Sequence, residues 1–295
     1  MRPFRIALAQ INTTVGDFDG NTRKIVEAIA QARDCGANLV ALPELAVTGY
    51  PPEDLLFKPR FVDASVSALK KIATETRGIV AVVGFADRGE DIYNAAGILV
   101  NGQVMDVYHK RFLPNYGVLD EDRYFQAGTT VPVYRLDGVV FGVNICEDIW
   151  YPGGPARDQA LFGDAEIVVN ISASYYYADK GKIREAMLAT RAMDCGAVVA
   201  YCNLVGGQDE LLFDGGSLAF NQNGDLIARG RQFEEDLVLA DLDDGIIGIG
   251  GGTARGYGTV IPDIDAAESA GTLPTLTEAR AVLVGMLAAT TGDQT

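Results

Sequence analysis

The 295-residue chain is 48% hydrophobic, enough for a sizeable core in one large α/β domain or two modest ones, and its composition is globular. Forty acidic against 24 basic residues give a formal net charge of −16, which repels nucleic-acid phosphates and anionic lipid and favours a small-molecule role. Four widely spaced cysteines (Cys35, Cys146, Cys195, Cys202) form no C-x-x-C pair, and one histidine leaves few ligands for zinc, so no disulfide framework, metal or cofactor is expected.

In chain order, residues 1–10 read as a strand without the apolar core of a signal peptide. No later apolar run reaches membrane-spanning length, so the cytoplasm is the expected compartment. Strand-like runs at 4–11, 38–42, 79–85, 139–145, 166–171 and 197–202 alternate with helix-like segments at 21–34, 62–76 and 182–194. This rhythm predicts an α/β fold. Asn101-Gly102, Asp137-Gly138 and Asn223-Gly224 each lie between strand-like runs and predict antiparallel hairpins, hence mixed sheets rather than a doubly wound parallel one. Residues 1–243 read as one domain. Residues 244–273 read as a glycine-rich loop and connector, lacking the lysine of a phosphate loop, and 274–295 as a C-terminal helix (277–289) and tail of the same domain.

The chemistry centres on Val139-Val-Phe-Gly-Val-Asn-Ile-Cys-Glu-Asp-Ile-Trp150. A thiol ending an apolar strand is expected to be exposed at a sheet end, with the Glu147 backbone N–H free to hold an oxyanion; the segment alone fits a core cysteine equally well. A nucleophilic cysteine needs a base, and His109 is the only histidine. It precedes Lys110 at the end of a strand-like run, so the two face opposite ways. Glu44, after Pro43 at the end of another apolar strand, is then the best-placed carboxylate, although a Glu at a strand tip is often only a solvated charge. Glu147 and Asp148 beside the sulfur would raise its pKa unless a cation opposes them, and Lys110 supplies one. Glu44 as base, Lys110 and the Glu147 N–H as oxyanion partners, and Cys146 as nucleophile fill the roles of acyl transfer.

These three residues lie within Leu42-Pro-Glu-Leu-Ala-Val-Thr-Gly-Tyr-Pro-Pro-Glu-Asp-Leu-Leu56, His109-Lys-Arg-Phe-Leu-Pro-Asn-Tyr-Gly-Val-Leu-Asp-Glu-Asp-Arg-Tyr-Phe125 and Asn144-Ile-Cys-Glu-Asp-Ile-Trp150. In that order and setting they resemble the nitrilase (carbon–nitrogen hydrolase) superfamily, and within it the glutaminase domain of glutamine-dependent NAD synthetases. The resemblance runs roughly over residues 4–242 and includes the stretches 203–215 and 233–236. It implies a four-layer α-β-β-α sandwich, a thioester on Cys146, release of ammonia and hydrolysis by water activated by Glu44. It also implies a supporting role for Glu121 and a glutamine pocket drawing on Tyr116, Trp150, Ser174 and Lys180. The superfamily's habit of pairing subunits implies a homo-oligomer.

The chain departs from the family in the substrate loop, where Pro, His and Gly are replaced by Tyr175, Tyr177 and Asp179. A new carboxylate and two phenols are expected to alter the pocket, unless they point to solvent. Nothing matches the phosphate loop of the synthetase half. The expectation is therefore an amidohydrolase with L-glutamine as leading substrate. The alternatives are a stand-alone amidase for another small amide, a glutaminase subunit delivering ammonia to a separate NAD synthetase or other amidotransferase, or a piece of a longer synthetase.

Overall fold

The computed structural model describes residues 4–242. The segments assigned from sequence to 244–273 and 274–295 lie outside the described residues. In chain order the first half contains β1 (Phe4–Gln10), α1 (Phe18–Asp34), β2 (Leu39–Ala41), α2 (Pro59–Ala73), β3 (Val80–Arg88), β4 (Ile92–Val100) and β5 (Gln103–His109). The second half contains β6 (Val133–Leu136), β7 (Val139–Ile145), α3 (Pro155–Leu161), β8 (Ile167–Ser172), α4 (Lys180–Cys195), β9 (Val198–Asn203), β10 (Val205–Gln208), β11 (Leu211–Asp214), β12 (Leu218–Phe220), β13 (Leu226–Arg229) and β14 (Asp236–Leu242).

Two six-stranded sheets form, ordered β14-β1-β2-β3-β4-β5 and β13-β12-β9-β8-β7-β6. In each, three central strands run parallel (β1-β2-β3 and β7-β8-β9) and antiparallel strands flank them. The central strands are buried on both faces, which is why they read as unbroken apolar runs rather than alternating ones. Side chains of one parity, Ile6, Leu8, Val80 and Val82 from the first sheet and Val143, Ile145, Val169 and Ile171 from the second, meet in a shared core between the sheets. The opposite parity of the first sheet packs on Ile25, Ile29, Leu69 and Ile72 of α1 and α2. That of the second packs on Ala156, Leu188 and Ala192 of α3 and α4. The result is the expected four-layer α-β-β-α sandwich with mixed sheets.

The Asn101-Gly102 and Asp137-Gly138 turns have positive φ at both residues, the two-residue hairpin geometry that their sequences favour. Asn223-Gly224 behaves differently. Only Gly224 has positive φ, and it sits in a five-residue loop held by Asn221, whose side-chain carbonyl accepts from Asn223 N (2.9 Å) and Asp225 N (2.9 Å). No helix among the described residues is long and apolar enough to cross a membrane.

Candidate active site

The functional side chains gather at the carboxyl ends of the parallel strands, where backbone leaves the sheets and side chains can converge. Past the end of β2, Pro43-Glu44-Leu45 folds tightly over β3. A β-carbon at Gly84 would lie 2.2 Å from the Pro43 carbonyl oxygen, so only glycine admits this approach. Glu44 is fully buried there, far from the solvated charge that a strand-tip Glu often is. Its Oε1 accepts from Lys110 Nζ at 2.6 Å and Asn94 Nδ2 at 2.8 Å, and its Oε2 from the Ala173 backbone N–H at 2.8 Å.

Lys110 follows the last residue of β5 and is 0% exposed. Its ammonium also donates to both oxygens of Glu121, at 2.9 and 2.8 Å, so one buried cation is shared by two buried carboxylates. Tyr50 donates to Glu121 Oε1 at 3.1 Å. Burial works against the lysine's charge, but Glu121 and Glu44 outweigh it and hold Lys110 well above the ordinary lysine pKa. Burial raises Glu121 to about 7, against the opposing pull of Lys110. His109, as expected from strand alternation, faces elsewhere: it contacts Asp87 Oδ2 at 2.8 Å and stacks on Tyr93.

Cys146 opens a short helical turn, Cys146–Ile149, directly after β7. Its φ of +44° lies in the left-handed region that non-glycine residues seldom occupy, and such strain concentrates at functional positions. The thiol is buried, at 9% exposure, where an exposed one was expected, because it packs into the core between the two sheets. Burial raises the thiol pKa most, followed by Glu44, while Lys110 lowers it. The resting group is therefore a thiol, with acid and cation beside it. Glu147 N–H lies in the first turn of this helical segment, where backbone donors lack intrahelical acceptors.

The expected substrate contacts divide. Tyr116, 53% exposed, donates to Glu147 Oε2 at 2.9 Å, and burial together with this bond pushes its phenol pKa up. Ser174 is buried, with its N–H on Asn203 Oδ1 at 2.9 Å. Lys180 is only 8% exposed, and its Nζ lies 3.9 Å from the Tyr175 ring centroid and 5.2 Å from that of Tyr177. Burial lowers its pKa. Trp150 packs with the cluster of Ile149, Leu188 and Ala192 beneath α4. Asp179 does not bring a charge into the pocket: it lies in solvent and pairs with the exposed Lys182 at 3.0 Å. Asn94, Tyr50 and the Ala173 N–H escaped sequence reasoning, because nothing local distinguishes them.

The carbon–nitrogen hydrolase family model matches residues 5–248, and the chain belongs to that family. It is an enzyme that acts on amides. It is 44% identical over 245 residues to the glutamine-dependent NAD(+) synthetase of Thermotoga maritima, covering 82% of this chain and 42% of that one. The corresponding synthetase of Aquifex aeolicus is 44% identical over 242 residues, covering 81% and 42%. The chain thus spans less than half the length of these relatives. Among solved structures it superposes on a glutamine-dependent NAD+ synthetase from Acinetobacter baumannii (TM-score 0.79, 37% identity, 86% of this chain and 49% of that one). It also superposes on a mutant of the amidase from Nesterenkonia sp. AN1 (TM-score 0.73, 30% identity, 82% and 91%), in which one glutamate is replaced by leucine and the acetamide moiety of fluoroacetamide is covalently added to the active-site cysteine.

Proposed function

We propose that the chain hydrolyses a terminal carboxamide through a thioester on Cys146, with L-glutamine as the substrate. The supporting observation is the sharing of Lys110 by Glu44 and Glu121 beside a buried thiol at a strained strand end. Cys146 Sγ attacks the carboxamide carbon while its proton passes to Glu44. Lys110 and the Glu147 N–H stabilise the tetrahedral oxyanion. Collapse breaks the C–N bond, and Glu44 returns the proton to the leaving nitrogen as ammonia. A water then gives one proton to Glu44 and attacks the thioester; the C–S bond breaks, Glu44 passes that proton to the sulfur to restore the thiol, and the carboxylic acid leaves and loses its remaining proton to solvent. Glu121 keeps Lys110 charged and aimed.

On the substrate side, Lys180 is a buried cation for which no carboxylate partner is recorded among the described residues, and it suits the carboxylate of an amino-acid amide. Ser174, Tyr116, Tyr175 and Tyr177 line the approach, and Trp150 supports it from below. The likeness to synthetases twice as long favours a second reading, in which the released ammonia feeds an NAD synthetase or other amidotransferase activity. A homo-oligomer in the cytoplasm accords with either.

Ammonia release from L-glutamine and from a panel of small neutral amides tests the proposal, with intact mass of acid-quenched reactions to trap the acyl group on Cys146. Turnover of glutamine with a Cys146 adduct is expected. Absence of turnover with every amide, together with absence of an adduct, overturns it.

A further inference from the structure

Asp148 stands two residues after the nucleophile in sequence, but its carboxylate is turned to backbone and phenol donors instead. It is fully buried, and its partners are four donors, three from β5 and the loop leaving it and one from the end of β7. Oδ1 accepts from Arg111 N at 3.1 Å and Phe112 N at 2.9 Å. Oδ2 accepts from Ile145 N at 3.0 Å and from the Tyr108 hydroxyl at 2.7 Å.

The identity of these donors is the informative part. Tyr108, Arg111 and Phe112 bracket Lys110 on both sides, the first in β5 and the other two in the loop that leaves it. Ile145 immediately precedes Cys146, at the end of β7. A carboxylate has about four lone-pair sites, so Asp148 is saturated, with two donors per oxygen. Tyr108 stays a donor because burial and Asp148 hold its phenol pKa well above the ordinary value.

We infer that Asp148 is a positioning residue that staples the exit of β5 to the Cys146 turn and so sets the distance between the lysine and the thiol. The core between the two sheets is built mainly of apolar side chains, whose contacts are non-directional and tolerate sliding; its other polar ties, such as Tyr134 to Asp106 and Cys202 to the Ala9 and Ala41 carbonyls, do not touch the Cys146 turn. A four-donor carboxylate is directional and does not. Cys146, with φ +44°, has the least intrinsic reason to hold its place.

This inference rests on the reading of Cys146 as nucleophile, and two readouts separate them. The first is steady-state hydrolysis of L-glutamine by the full chain. The second is the rate of Cys146 alkylation by iodoacetamide, in which sulfur displaces iodide and the thiol proton passes to Glu44. Asp148→Asn keeps the size but replaces one acceptor oxygen by an NH2 group, facing donor against donor. A misplacement of about 1 Å costs on the order of 100-fold in rate, so kcat should fall roughly that far while KM changes by less than about threefold. Alkylation should slow by about tenfold in the folded variant, as the thiol loses its alignment with Glu44 and Lys110. Tyr108→Phe removes one donor of four and should show the same pattern at a few-fold scale.

Folded Asp148→Asn with kcat and alkylation rate both within about twofold of the parent overturns the staple. If that variant fails to fold, an unchanged kcat and alkylation rate in Tyr108→Phe overturns it. If the parent releases no ammonia, the glutamine reading fails, and the alkylation series alone then decides the staple.

Discussion

Two buried lysines lie within electrostatic reach of Cys146, and their surroundings are built on opposite plans. Around Lys110 the charges are buried and directly paired: two carboxylates share one ammonium at 2.6–2.9 Å, and an amide and a phenol donate to those carboxylates at 2.8–3.5 Å. Around Lys180 no carboxylate is recorded among the described residues, and two tyrosine rings cover the ammonium instead. On the proposed function, the contrast separates chemistry from recognition. A buried ionic network leaves an uncompensated charge when any member is removed, so it admits little change. An aromatic cover contributes less per contact and leaves the cation available to an incoming anion.

The comparison predicts a graded series. Cys146→Ala should abolish turnover. Glu44→Gln should lower kcat by about 10³-fold, within the range expected for a general base, with circular dichroism unchanged. A near-normal rate there would place the base elsewhere and dissolve the distinction. Lys180→Met should act on the other axis: KM for L-glutamine should rise roughly 10- to 100-fold, the worth of a charge-assisted bond, while kcat/KM for propionamide stays level. Equal losses on the charged and neutral amides would show that Lys180 belongs to the chemistry.

A smaller effect sharpens the electrostatic side. Burial raises Glu121 from the usual 4.5 to about 7, so between those values the folded protein holds a proton that the unfolded chain has released. Its contribution to stability is complete below about pH 4.5 and is lost as pH rises through 7. The Tm of the parent should therefore fall relative to that of Glu121→Gln across this window, measured by calorimetry. A constant difference would mean that Glu121 is ionised throughout. Smallest of all, Tyr175→Leu should raise KM for glutamine by about two- to fivefold, the scale of one partly desolvated cation–π contact.

Much of this site was legible because each of its three main residues ends an apolar run. Pro43 marks the end before Glu44, strand alternation sets Lys110 against His109, and the carboxylates after Cys146 demand a cation. The substrate loop read less well. Asp179 was weighed as a new pocket charge because it stands where the resembled substrate loop has glycine, yet with φ +66° it precedes α4 and, as the alternative had it, points to solvent. Asn94 and Tyr50 carried no local signal, since their partners lie 50 and 71 residues away. Asp148 was read as a charge beside sulfur, because adjacency in sequence says nothing of which way a helical turn aims a carboxylate.

Short-range physics was therefore enough to determine the alternation of strands and helices, the three hairpins and the residues proposed for acyl-transfer chemistry. Those depend on hydrophobic periodicity, backbone preference and side-chain functional groups, all of which are local. Only the tertiary structure decided that Cys146 is buried, that Glu121 and Glu44 share one lysine, and that Asp148 ties the two sheets together. These follow from how two sheets stack, and the directional bonds across that interface join segments that no local pattern connects.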